Sequence, residues 1–300
     1  MRKISILGRN LLAWISPKLL TSVEFLYTFG RRLNWNNPQD LNEKINWLKF
    51  YTDTSQWTHL ADKFAVRRYI EDCGYGDNLV KLYGKWDQVK DINWDLLPER
   101  FVMKVNNGSG DILVCKDKSL LNKNDVLAAF DKLLHKKFSN YNGEPHYAAM
   151  KPCVIAEELL DPLKQPIETD TLIDYKIWCF NGKPRYIWAC YNRHKDSVEV
   201  ATYDLIWNRH DEKSIFTSHY KRANLNLPKP KSLKEMLEMA SKLSEGIPQV
   251  RVDLYEIDGK PYFGEMTFTS AGGFNNFYTQ EFLNELGSYV DLSIAPKTRF

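Results

Sequence analysis

The sequence has no Cys-x-x-Cys pair, no Gly-Lys-Ser/Thr phosphate-loop signature, no Asp-x-Asp pattern and no long basic run. Its five cysteines are scattered and odd in number. They indicate neither a zinc site nor a disulfide framework, and they suit a reducing compartment. No apolar stretch reaches the length of about 18 residues that a transmembrane helix needs. Repeats and low-complexity segments are also missing. A net charge of +3 over 300 residues is too small for a dedicated nucleic-acid binder. The first twenty residues, MRKISILGRNLLAWISPKLL, mimic the basic start of a signal peptide. Gly8, Arg9 and Asn10 interrupt the apolar run, and no small-residue cleavage site follows. Two readings remain for this segment, packing on the protein's own body or an amphipathic helix on a membrane surface. A cytoplasmic protein is expected, with association at a membrane surface as the alternative.

What is present points to a mixed α+β chain. Hydrophobic residues make up 43% of the chain and aromatics 13%, enough for a substantial core. Helices are expected over 38–51, 58–72, 123–138, 232–245 and 278–288. The 232–245 helix carries a Ser232/Glu235 capping box and ends at Gly246. Strands are expected over 79–84, 101–106, 111–116, 152–160, 173–180, 185–191 and 198–206. Divisions are expected near 57 and 150, giving regions 1–57, 58–150 and 151–300.

The C-terminal hairpin VRVDLYEIDGKPYFGEMTF, 250–268, places a carboxylate in each strand, Asp253 and Glu265. A three-residue loop with Gly259 left-handed would put Arg251, Asp253, Glu265 and Thr267 on one face. Acids on neighbouring strands repel unless a cation lies between them. Either Mg²⁺ fills that place, with oxygen ligands, or Arg251 does. Upstream, Lys104 ends a strand that runs into Asn106, Asn107, Gly108, Ser109 and Gly110. Such a turn reads as an anion-binding nest or as an ordinary hairpin tip. In CVIAEELL, 153–160, a strand runs into Glu157, Glu158 and Leu159, a hinge for a nucleotide base or a solvated strand end. Asp174 and Lys176 share one strand face, as an ion pair or as ligand contacts. Arg193, His194 and His146 read as loop or structural residues.

These stretches, in this order, resemble the TupA-like ATP-grasp family, found among bacterial cell-surface polysaccharide genes. LNEKINWLKFY, LADKFAVRRYI, LPERFVMKVNNGSGD, DYKIWCFNGKP, LSEGIPQVRVDLYEIDGKPYFGEMTF and SAGGF carry the resemblance, over about residues 41–275. It implies an α+β ATP-grasp fold, with two subdomains that clamp ATP and Mg²⁺ behind a short helical N-terminal region. It implies Lys63, Lys104 and residues 106–110 at the phosphates, Glu157 to Leu159 at adenine and Asp174 at the ribose, with Lys176 beside it. It implies Arg251 and Lys104 in catalysis, and Asp253, Glu265 and Thr267 at the metal. Thr267 stands where many relatives have asparagine. The implied activity is ATP-dependent carboxylate–amine ligation through an acyl phosphate. Its partners would be small-molecule or saccharide carboxylates and amines, with peripheral contact to membrane-bound polysaccharide machinery and none to nucleic acid. The rival readings are a glycosyltransferase, which the missing Asp-x-Asp disfavours, and a non-catalytic scaffold.

Overall fold

The computed structural model describes residues 6–107, 112–136 and 143–297. Two antiparallel-rich sheets organise the chain. The first has four strands: β1 (Leu82–Trp86), β2 (Phe101–Val105), β3 (Ile112–Cys115) and β4 (Val154–Glu158), in the order β1-β4-β2-β3. The second has six: β5 (Asp174–Phe180), β6 (Lys183–Tyr191), β7 (Val198–Tyr203), β8 (Tyr220–Arg222), β9 (Val250–Ile257) and β10 (Lys260–Thr267). Their order is β10-β9-β5-β6-β7-β8, and only β7 and β8 run parallel. The chain passes from the first sheet to the second after Glu158.

Alternation sets the buried face of the small sheet. Phe101, Met103 and Val105 of β2 point inward, against Phe130 and Trp94, while Val102 and Lys104 point to the opposite face. The large sheet is covered by helix Leu233–Leu243, which buries Leu233, Met236, Met239, Ala240 and Leu243. The expected capping box does not form there. The Ser232 hydroxyl instead donates to Glu256, and Glu235 accepts from Asn78.

Two departures from the sequence reading shape the site. The helix expected over 58–72 is broken into Ser55–Leu60 and Val66–Asp72. Asp62 causes the break, because its Oδ1 accepts from the backbone N–H of Phe64 and Ala65 at 2.8 and 3.0 Å. Lys63 therefore sits in a turn. Next, the β9–β10 turn is a two-residue one. Asp258 and Gly259 both adopt positive φ, 53° and 74°, the requirement of a type I′ turn. That register alone would place Asp253 and Glu265 on opposite faces. A β-bulge between Phe263 and Glu265 corrects it, so Glu265 pairs with Asp253 and Thr267 with Arg251. The expected polar face exists, but a bulge produces it. The N-terminal region forms a helical hairpin of Ile6–Ile15 and Pro17–Phe29, followed by helix Leu41–Tyr51. Asp40 caps that last helix, as expected, by accepting from Glu43 N–H at 2.9 Å.

Candidate active site between the two sheets

A cavity of about 640 Å³ opens between the sheets. The small sheet contributes Val102, Lys104, Ile112 and Val114, the turn and helix at 62–72 contribute Lys63 and Arg67, and the large sheet contributes Asp174, Tyr255, Phe263 and Gly264. The segment Glu157–Leu163 crosses between them. Its size and mixed apolar and charged walls suit a nucleotide-sized ligand. Of the residues singled out by sequence, Lys63, Lys104, Glu157, Glu158, Leu159 and Asp174 line it. Gly108, Ser109 and Gly110 lie outside the described residues.

Lys104 projects from the cavity face of β2 and binds Glu157 Oε2 at 2.6 Å. Glu157 Oε1 takes Arg67 Nη1 at 3.2 Å, and Arg67 Nη2 donates to the carbonyl of Val80 at 2.8 Å. The Glu157 side chain is thus a counter-ion for two cations. Any contact of this segment with a base falls to its backbone and to Leu159. Arg67 had no sequence signal, because one arginine on a helix has no distinguishing pattern.

Asn106 has a different place from the one expected in the loop. Its side chain is buried, donates to Asp62 Oδ2 at 2.6 Å and to the Lys151 carbonyl at 3.0 Å, and accepts from Cys153 N–H at 2.8 Å. Its carbonyl accepts from Lys63 N–H at 3.2 Å. With every polar group engaged, Asn106 fastens the Lys63 turn to the end of β2 and the start of β4. Asn107 is also buried, and its Oδ1 has no partner.

The hairpin cluster lies at the end of the cleft nearest Lys63. Arg251 grips Asp253 with two hydrogen bonds, Nε to Oδ1 at 2.8 Å and Nη2 to Oδ2 at 2.9 Å. Lys176 binds the same Oδ2 and also Asp174. Arg251 Nη2 reaches Thr267 Oγ1 at 3.2 Å, and Thr267 donates to Glu265 Oε1 at 3.3 Å. Asp253 is wholly buried; Glu265 keeps 40% of its side chain exposed. Burial pushes the Asp253 carboxyl up to about 6 against the pull of Arg251 and Lys176. Burial also acts on Glu265, but Lys63, Lys176 and Arg251 outweigh it and hold that carboxyl at about 2. Burial lowers Lys63, with Glu265 as the leading opposing charge. Asp174 Oδ1 is buried with no partner.

The ion-pair reading of the acid pair is realised in this geometry. Asp253 belongs to the ion-pair network with Arg251 and Lys176. Glu265 keeps part of its carboxylate exposed and is the leading opposing charge on Lys63. No group of three or more His, Cys, Asp or Glu among the described residues forms a metal cage. A divalent ion here would need further oxygens, and Mg²⁺ commonly takes those from substrate phosphates beside one or two carboxylates. The donor set fits that ion on those terms.

Arg251 is anchored from behind. Its Nη1 donates to Ser270 Oγ at 2.9 Å, Ser270 donates to Asn275 Oδ1 at 2.7 Å, and Asn275 donates to Asn42 Oδ1 at 2.8 Å. On the same helix face, Asn46 donates to the Gly273 carbonyl at 2.9 Å and Lys49 to the Gly272 carbonyl at 2.8 Å. These residues recur at helical spacing. They hold a turn in which Ala271, Gly272 and Gly273 all have positive φ. At Gly273 a Cβ would come within 2.7 Å of Asn46 Nδ2. Elsewhere, His146 is buried with both ring nitrogens unpartnered, Arg193 lines the cavity, and His194 pairs with Asp170 at the surface.

Fold and site together define an α+β protein with a charged cleft between two sheets. The chain belongs to the family described as TupA-like ATPgrasp, which matches it over residues 43–291. No curated protein matches it. Among solved structures it is similar to a D-alanine–D-alanine ligase from Bacillus anthracis, with 17% identity, TM-score 0.40, and coverage of 73% of this chain and 59% of that one. The corresponding Helicobacter pylori ligase gives 14% identity, TM-score 0.43, and coverage of 87% and 68%. D-cycloserine synthetase DcsG gives 14%, 0.46, and coverage of 93% and 94%. The chain therefore spans little more than half the length of the first of these ligases.

Proposed function

We propose that this protein is an ATP-dependent carboxylate–amine ligase working through an acyl phosphate. The observation that carries the reading is the set of charges at one cavity: Lys63, Arg67 and Lys104 line it together with Asp174, and Glu265, held in the cluster with Arg251 and Asp253, is the leading opposing charge on Lys63.

The base of ATP would lie between Val102, Ile112, Val114 and Leu159, with backbone groups of the 157–160 segment meeting its edge. The unpartnered Oδ1 of Asp174 would accept from a ribose hydroxyl. Lys63 and Lys104 would neutralise the phosphates. Glu265, with Thr267 and Asp253 beside it, would hold Mg²⁺, which would supply charge screening for the triphosphate. An acceptor carboxylate oxygen attacks the γ-phosphorus, the bond to the β-phosphate oxygen breaks, and ADP leaves. An amine then attacks the acyl carbon, the carbon–oxygen bond breaks, inorganic phosphate departs, and the amine loses a proton. Arg251, fixed by Asp253 and Ser270, stabilises the charge that develops in both steps. No side-chain nucleophile is required.

We extend the proposal to cell-surface polysaccharide synthesis, with a uronic acid or amino acid as carboxylate donor and contact with membrane-bound machinery of that pathway. The family resemblance supports this setting. The test is ADP release from ATP and Mg²⁺ across a panel of uronic acids, amino acids and amines, with Lys104→Ala as control. Release that needs both a carboxylate and an amine supports the ligase. Release no faster than that of Lys104→Ala on every pair refutes it.

A further inference from the structure

The N-terminal hairpin has an outer surface that the other described residues do not cover. At its corner Trp14 is 83% exposed and Ile15 58% exposed. Leu19, Leu26 and Tyr27 stand out along Pro17–Phe29. Leu20, Thr21 and Phe25 of the same helix are buried. Leu19 and Leu26 are two helical turns apart, so they belong to one stripe, opposite the buried one. Single exposed apolar side chains are ordinary; five on one two-helix unit form a patch that marks an interaction surface.

Charge narrows the partner. Residues 1–37 carry six basic side chains, Arg2, Lys3, Arg9, Lys18, Arg31 and Arg32, against one acid, Glu24. The remaining 263 residues carry 35 basic and 37 acidic side chains. The positive excess of the whole protein is therefore concentrated in this N-terminal stretch, where Arg9 pairs with Glu24 and Arg31 with Asp40 and Glu43, so any attraction to a charged partner rests on Lys18 and Arg32 among the described cations. Trp and Tyr within an aliphatic stripe, flanked by Lys and Arg, match the chemistry of the headgroup region of an anionic bilayer. The 13-residue helix extends about 20 Å. That is short of a hydrocarbon core of about 30 Å, and no described helix is long and apolar enough to cross a membrane. The hairpin is built to lie on a surface.

We propose that this hairpin docks the protein on an anionic phospholipid bilayer. The inner side of the same helix gives the docking a direction. Phe25 and Phe29 pack on Phe274, with ring centroids 6.1 and 6.4 Å apart, in the turn behind Arg251. A docked protein holds the Arg251 end of its cleft one helix layer from the headgroups.

The test is co-sedimentation of the full chain, without nucleotide, with neutral phosphatidylcholine vesicles and with vesicles holding about 30% phosphatidylglycerol. Binding to the anionic vesicles is expected to be about tenfold tighter, and to be lost in about 0.5 M salt. Trp14→Ser/Leu19→Ser/Leu26→Ser should weaken it about tenfold with an unchanged melting temperature. Lys18→Glu/Arg32→Glu, which leaves the apolar patch intact, should weaken binding in the same direction. Failure to bind anionic vesicles, equal binding to both compositions, or Trp14-dependent self-association in place of lipid binding would overturn the proposal.

Discussion

Asn42 Oδ1 accepts two hydrogen bonds from Asn275, one from its backbone N–H at 2.9 Å and one from its side-chain amide at 2.8 Å. All three groups are buried, and the next links in the chain are Ser270 and Arg251. Asn275→Ala leaves Ser270 and Asn42 short of partners. We expect a loss of about 1–3 kcal/mol in stability by denaturant unfolding, and a fall in turnover larger than the fall in nucleotide affinity. Unchanged turnover would remove the positioning role.

The two hairpin acids should separate under isosteric substitution. Asp253→Asn strips the counter-ion from buried Arg251 and Lys176 and should cost about 3–5 kcal/mol. Glu265→Gln, on a part-exposed side chain, should cost little stability but raise the Mg²⁺ concentration needed for nucleotide binding about tenfold. Calorimetric titration of Mg²⁺ and ATP into the two variants checks both outcomes.

Gly264 is the residue that turns Glu265 to the proper face. A Cβ there would lie 2.9 Å from the Asp253 carbonyl and 3.1 Å from the Tyr255 ring. Gly264→Ala should therefore lower stability by about 1–3 kcal/mol and disrupt ATP binding, since the strand must shift or lose its bulge. Melting curves with and without Mg-ATP read both effects.

Acid sensitivity should trace to His146. Burial, with Lys49 adding like charge, depresses its imidazole to about 3. The unfolded chain takes up this proton near pH 6.5 and the folded chain only near 3, so the unfolded state binds more protons between those values. Stability should fall as pH drops through that window, by at most about 1.4 kcal/mol per pH unit from this group. His146→Phe should flatten that part of the melting temperature–pH profile. An unaltered slope would assign the effect to other groups.

Much of the architecture was legible because apolar spacing and capping agree locally. Asp40 with Leu41, Ile45 and Leu48 marks a helix in both sequence and structure. The paired acids, Lys104 and the 157–159 segment were legible as charges placed where strands prefer apolar residues. Other features depend on contacts between distant segments. The polar stripe Asn42, Asn46 and Lys49 reads as a solvent face, yet it is buried because the 270–275 turn packs on it. The helix break at Asp62 looks like helix interior until Asn106, 44 positions later, takes its second oxygen. The bulge at Gly264 escaped because a three-residue loop and a two-residue turn plus bulge give the same pairing at Asp253.

Asn106 has a mechanical consequence. It joins the Lys63 turn to the strand that bears Lys104, while the helices flanking that turn bury Leu60, Ala61, Val66 and Ile70 in the core of the large sheet. Lys63 thus sits at the seam between the two sheets, so damage to Asn106 is felt on both sides of the cleft at once.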